Sequence, residues 1–91
     1  MSTNTTNTMG AGEAAAHIVR KIHSDIDGRN RQFVYTLYAD GSARTIEIAR
    51  HCGDIARRTQ RTYEELHVVN SDMADMLHSL ASRDTLPAGW Y

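Results

Sequence analysis

The stretch FVYTLYADGSARTIEI, residues 33–48, constrains the fold most. Aromatic and β-branched residues dominate it, and Asp40-Gly41 lies in its middle. Such side chains fit a pleated surface. Asp-Gly is a strong two-residue hairpin signal, because both turn positions take positive φ. A two-residue turn predicts a register: Ala39 opposite Ser42, Leu37 opposite Arg44, Tyr35 opposite Ile46, and Phe33 opposite Ile48. One face then holds Phe33, Tyr35, Leu37, Ile46 and Ile48, with only Arg44 polar, near the turn. The other face pairs Tyr38 with Ala43, Thr36 with Thr45 and Val34 with Glu47.

The flanks carry helical periodicity. Ala15, Ile18, Val19, Ile22 and Ile26 recur at helical spacing, which predicts a short helix over Glu13–Asp27 closed by Gly28. Beyond the hairpin, Thr59, Tyr63, Leu66, Asn70, Met73, Leu77 and Leu80 alternate steps of four and three, a heptad seam widened by Val69 and Met76. No Gly or Pro interrupts residues 54–86, so one helix is predicted from an N-cap at Asp54 to Pro87. About 30 residues of helix are roughly 45 Å long, whereas a compact chain of this size has a radius of gyration of about 13 Å. A short first helix covers only half of such a seam. The expected fold is therefore α+β: a small α-β-β-α domain over residues 13–91, its two-stranded antiparallel hairpin packed on a short N-terminal helix and a long C-terminal helix. Residues 1–12, Ser/Thr/Asn/Gly-rich, are expected to be a disordered tail.

Thr45–Leu66 also invites comparison with a helix-turn-helix. Ala49 and Gly53 have the spacing of its small residue and turn glycine. Two objections outweigh this. Asp54 stands where an apolar residue should pin the turn, and Thr59 and Thr62 stand where the second helix should bury apolar side chains. A first helix at Thr45 would also leave the Phe33–Ala39 strand without a partner.

Ninety-one residues with 41% hydrophobic content allow one small core. Cys52 is the only cysteine, so no disulfide forms within the chain; it reads as a small buried apolar residue in a reducing compartment. No apolar run approaches the ~20 residues of a membrane span. No basic region followed by an apolar stretch opens the chain, and a cytoplasmic location is expected. Net charge is −1, but residues 1–61 carry nine Lys/Arg and six Asp/Glu, and residues 62–91 carry one Arg and five Asp/Glu. Either pole could meet a partner.

The candidate binding residues are Arg57, Arg58 and Arg61, placed in the first turns of the expected long helix, with Arg44 and Arg50 extending the group. Exposed helix N–H groups and arginines together could hold an anion, phosphate or acidic protein. The blander account is a solvated face with Arg61 paired to Glu64 and Glu65. Interface candidates are the aromatic residues Tyr38, Trp90 and Tyr91 and the seam residues Tyr63, Met73, Met76 and Leu77. Asn70 within the seam would fix register in a homodimer. His17, His23, His51, His67 and His78 lack the three- or four-residue spacing of a helical metal pair, so no metal is expected. No phosphate loop, nucleophile elbow or paired catalytic carboxylate is present, and neither enzyme activity nor a cofactor is expected.

What remains is a non-enzymatic protein-binding module acting through the long helix and exposed hairpin, an expected homodimer that meets another protein or nucleoprotein complex. In size, polar tail and absent site motifs the chain resembles small phage and mobile-element proteins that block a host complex, anti-CRISPR proteins among them. That resemblance rests on no residue motif and assigns no residue a role. The second expectation is a nucleic-acid-binding regulator, with DNA or RNA backbone contacts from Arg57–Arg61.

Overall fold

A computed structural model describes residues 16–91. Four antiparallel strands come first: β1 (Ile18–His23), β2 (Arg31–Tyr38), β3 (Ala43–His51) and β4 (Asp54–Thr62). Two helices follow, α1 (Tyr63–Val69) and α2 (Ser71–Ala81). The strands form one sheet in chain order, β1-β2-β3-β4. The expected α-β-β-α arrangement is thus overturned in three places: the first helix, the hairpin register and the long helix. The expected tail and residues 13–15 lie outside the described residues.

Where a helix is expected over Glu13–Asp27, Ile18–His23 is a strand, paired to the outer side of β2 with Ile22 opposite Tyr35. Ile18, Val19 and Ile26 are exposed and Ile22 is fully buried. A short run of Ile and Val suits either periodicity. Here the unpaired edge of a Phe- and Tyr-rich strand offers backbone partners, and pairing overrides the helical pattern.

The central hairpin exists, one residue out of the expected register. Leu37 pairs with Ala43, Tyr35 with Thr45 and Phe33 with Glu47. Its loop is Ala39-Asp40-Gly41: the Gly41 N–H donates to the Tyr38 carbonyl and the Tyr38 N–H to the Ser42 carbonyl. Gly41 has φ +90°, as the third residue of such a loop requires. The two-residue turn lies instead between β3 and β4. There Cys52 (φ 52°) and Gly53 (φ 86°) both take positive φ, and His51 pairs with Asp54. Cys52 is accordingly exposed, not buried.

The expected long helix is divided. Asp54 opens β4 and caps no helix. Thr62 is the cap of α1: its hydroxyl accepts from the Glu65 N–H and its own N–H donates to Glu65 Oε1. This reciprocal pair satisfies two of the orphan donors at a helix start. Asn70 ends α1 and begins α2, its side chain accepting from the Met73 N–H at 3.2 Å. α1 packs against β3 and β4, and α2 against β1 and β2. Between the layers lie Ile22, Phe33, Tyr35, Ala43, Leu66, Ala74, Leu77, Leu80 and Ala81. The seam residues Leu66, Leu77 and Leu80 are therefore used within one chain.

Two substitutions check this description. Thr45 is 2% exposed and its hydroxyl has no hydrogen-bond partner among the described residues. An unsatisfied buried hydroxyl is destabilising, so Thr45→Val should raise stability by about 1 kcal/mol in urea unfolding. A cysteine in the left-handed region is strained by about 1 kcal/mol. Cys52→Asn creates the preferred Asn-Gly turn and should raise the unfolding midpoint; an unchanged or lower midpoint would contradict the turn geometry.

Candidate functional site

Alternation along the strands sends one set of side chains toward the helices and the other to a face that no described helix covers. Register places the side chains of this second face in three rows: His23, Val34, Ile46 and Gln60; Lys21, Thr36, Arg44 and Thr62; and Gln32, Ile48 and Arg58; Thr36 is buried among its neighbours and Val34, Ile46 and Ile48 are half-buried. None of these eleven positions is Asp or Glu. Val34, Ile46 and Ile48 form the apolar middle, with Lys21, Arg44 and Arg58 around it. Arg50, farther along β3, is oriented by Gln32 Oε1, which accepts from its Nε, and by the Gly53 carbonyl, which accepts from Nη1 at 3.2 Å.

Two shallow depressions mark this face. One, of about 350 Å³, is lined by Ile46, Arg58 and Gln60. The other, of about 250 Å³, includes His23, Gln32, Val34, Ile48, Arg50 and Tyr91. The Tyr91 ring stacks on His23 with centroids 5.2 Å apart and planes 5° from parallel. The last residues reach it by pairing with the end of β1: the Tyr91 N–H donates to the His23 carbonyl, and the His23 N–H donates to the Tyr91 carbonyl.

The five arginines singled out from the sequence are only partly united. Arg44, Arg50 and Arg58 share the open face; Arg57 and Arg61, opposite Ala49 and Thr45, lie on the helix side of β4. All five belong to strands, so the expected site at a helix start does not form. Tyr38 is half-buried at the end of β2. Leu77 is fully buried, and Tyr63, Met73 and Trp90 pack partly buried on the core. Met76 is 40% exposed and Tyr91 62%. Asn70 is an exposed cap between helices. Lys21, His23, Val34, Ile46 and Ile48 escaped the sequence reading. Their signal was Gly41, whose alternative role as third loop residue turns Ile46 and Ile48 outward.

The acids lie elsewhere. Strands hold eight of the ten Lys/Arg but only Glu47 and Asp54 of the carboxylates. Glu64, Glu65, Asp72 and Asp75 belong to the helices. Asp75 accepts from the Tyr63 hydroxyl at 3.1 Å and lies 3.3 Å from His67 Nε2. That hydrogen bond, with some burial and the nearby Asp75 and Glu64 charges, raises the Tyr63 pKa. Near the β1–β2 connection, burial alone would raise Asp27, but hydrogen bonds from the Arg31 and Arg29 N–H groups and the Arg31 guanidinium lower it overall. Glu65 is lowered by its two bonds to Thr62. Among the described residues no group of three or more His, Cys, Asp or Glu side chains is arranged to hold a metal ion. No described helix is long and apolar enough to cross a membrane.

No protein-family model, curated protein or solved structure matches this chain.

One core group ties the sheet to the helices and gives a pH signature. The Tyr35 hydroxyl and His78 Nδ1 share a hydrogen bond of 3.1 Å. Burial, then the charges of Tyr63 and Glu64, push Tyr35 from 10.0 up to about 12. The folded state therefore holds this proton more tightly than the unfolded chain. Its contribution is fully present below pH about 10 and is lost as pH rises through about 12. Unfolding free energy measured across this interval should fall with pH, and Tyr35→Phe should flatten the fall. An equal slope in the variant would remove Tyr35 as its source.

Proposed function

We propose that this chain is a non-catalytic binding protein whose open sheet face docks on an acidic surface of another protein. The observation that carries the reading is the composition of that face: three apolar residues ringed by cations, with no carboxylate in the three rows, in a chain of net charge −1. A sheet face buried only against water would not need Val34, Ile46 and Ile48 side by side. An apolar middle with a charged rim is the anatomy of a protein interface. The complementary potential brings the partner in and orients it.

Phosphate is the second reading, favoured by the Lys21, Arg44 and Arg58 ring. Backbone recognition of nucleic acid requires cations but no apolar centre, and the acidic helices oppose a polyanion. The protein reading fits the surface better. An inhibitory role of the kind found in small phage and mobile-element proteins would need no chemistry beyond occupying a partner's surface. The long helix no longer takes part in it.

Immobilised protein should retain an acidic protein from a nuclease-treated lysate of the source cells. Ile46→Asp and Lys21→Glu should each abolish retention while leaving the circular dichroism spectrum unchanged. Raising ionic strength from about 0.05 M to about 0.5 M should weaken it, because exposed charges are screened. Retention of nucleic acid alone from an untreated lysate, released by nuclease, would move the assignment to the phosphate reading.

A further inference from the structure

β4 is an end strand of the sheet, and its residues 54–58 and Gln60 are exposed. Hydrogen-bond alternation identifies which of its backbone groups face outward. The Tyr38 N–H bonds the Ser42 carbonyl, and the Arg50 N–H bonds the Asn30 carbonyl. The even-numbered residues of β3 therefore bond β2, and Thr45, Glu47 and Ala49 bond β4. Their partners Arg61, Thr59 and Arg57 turn their N–H and C=O groups inward. Arg58 and Gln60 turn theirs out. Thr62 would be next, but Glu65 Oε1 holds its N–H at 2.8 Å. Beside this edge runs a groove of about 470 Å³ lined by Thr59, Gln60, Arg61, Glu65, Val68 and Val69. Val68 is 86% exposed and Val69 61%.

A second copy of the chain fits this edge poorly. A two-fold axis through Arg58 sets that arginine opposite itself. An axis through Thr59 sets Arg57 opposite Arg61 twice. An axis through Gln60 needs the Thr62 N–H that Glu65 already holds, and runs the incoming strand into the first turn of α1. Like charges directly opposite are destabilising, and unlike charges there are favourable. Arg57, Arg58 and Arg61 therefore select carboxylates on whatever strand is added.

We infer that the Arg58–Gln60 edge of β4 takes up an extended acidic segment of a partner protein as a fifth strand. Its carboxylates lie beside Arg57, Arg58 and Arg61, and an apolar side chain enters the groove at Val68 and Val69. The inference rests on the proposed acidic protein partner and names the element of that partner which reaches the sheet. In such strand addition, main-chain bonds supply affinity and alternate side chains supply specificity.

The probe is a ten-residue peptide alternating glutamate and valine, with a lysine–valine peptide as control. Saturation with the glutamate peptide should slow amide hydrogen exchange of Arg58 and Gln60 by about tenfold or more, and the control should not. Gln60→Pro removes an outward N–H at a position where an edge strand tolerates proline. It should weaken the peptide by about tenfold or more. Should that variant fail to fold, Arg58→Glu, an exposed change, should give the same loss. Absence of peptide binding at millimolar concentration would overturn the inference. So would binding that shifts Val34, Ile46 and Ile48 without slowing exchange at Arg58 and Gln60, although the sheet-face reading would then stand. A dimer in which those amides are protected without peptide would give the edge to a second copy. Equal protection by single-stranded DNA would give it to nucleic acid.

Discussion

The offset of β3 against β2 governs the rest of the molecule. With Gly41 in positive φ as the third loop residue, Ala43 and Thr45 face the helices beside Phe33, Tyr35 and Leu37. Those two small residues leave room for Leu66 to approach the sheet, and the core closes around Ile22, Tyr35 and Leu77. Because strand side chains alternate with a period of two, the same offset sends Ile46 and Ile48 to the opposite face with Val34. Moving β3 by one residue would bury both isoleucines and expose the threonine that now lies in the core. The core and the candidate binding face are consequences of one turn.

Charge follows the same division. Arginines at residues 57, 58 and 61 would oppose the dipole at the start of a helix. In a strand they meet no such penalty, and the first charges of α1 are Glu64 and Glu65, whose sign suits a helix N-terminus. The bipolar charge of the chain thus becomes a basic sheet carrying acidic helices. The arginines also protect β4. A long uncovered edge strand is a template for unwanted pairing, and charged side chains on it are a common defence. A defence made of one sign admits strands of the other.

A turn at Asp40-Gly41 between two strands and the burial of Tyr35 were legible in the sequence; Leu66, Leu77 and Leu80 were legible as apolar positions but were assigned to the seam of a long helix, with Leu77 at an interface. The register was not legible, because Asp40-Gly41 serves two loop lengths equally well and only tertiary packing chooses between them. β1 was hidden because Ile18, Ile22 and Ile26 satisfy helical spacing while their β-branched chemistry suits a strand. β4 was hidden because Thr59 extends the heptad rhythm backward by accident. A stronger signal lay three residues on: Thr62-Tyr-Glu-Glu65 is a capping box, and it marks where the helix begins. The arginines were visible as a group, but with the wrong element beneath them they were placed on one face instead of two.

That misplacement matters for association. A single long helix with an apolar seam would have left part of that seam for the hairpin, a second copy or another protein to cover. Split at Asn70, the two helices fold back on the sheet, and Leu66, Leu77 and Leu80 are covered within one chain. What the described helices leave uncovered is of another kind: three half-buried aliphatic side chains on a cationic sheet face, and a nine-residue edge strand with Val68 and Val69 beside it. Both surfaces meet along β4, where Arg58 and Gln60 belong to the open face by their side chains and to the edge by their backbones. A partner that reaches one is already beside the other. In the proposed complex, electrostatic attraction to the face would bring an acidic segment to the edge before any backbone bond forms, and an acidic strand added there would extend that face.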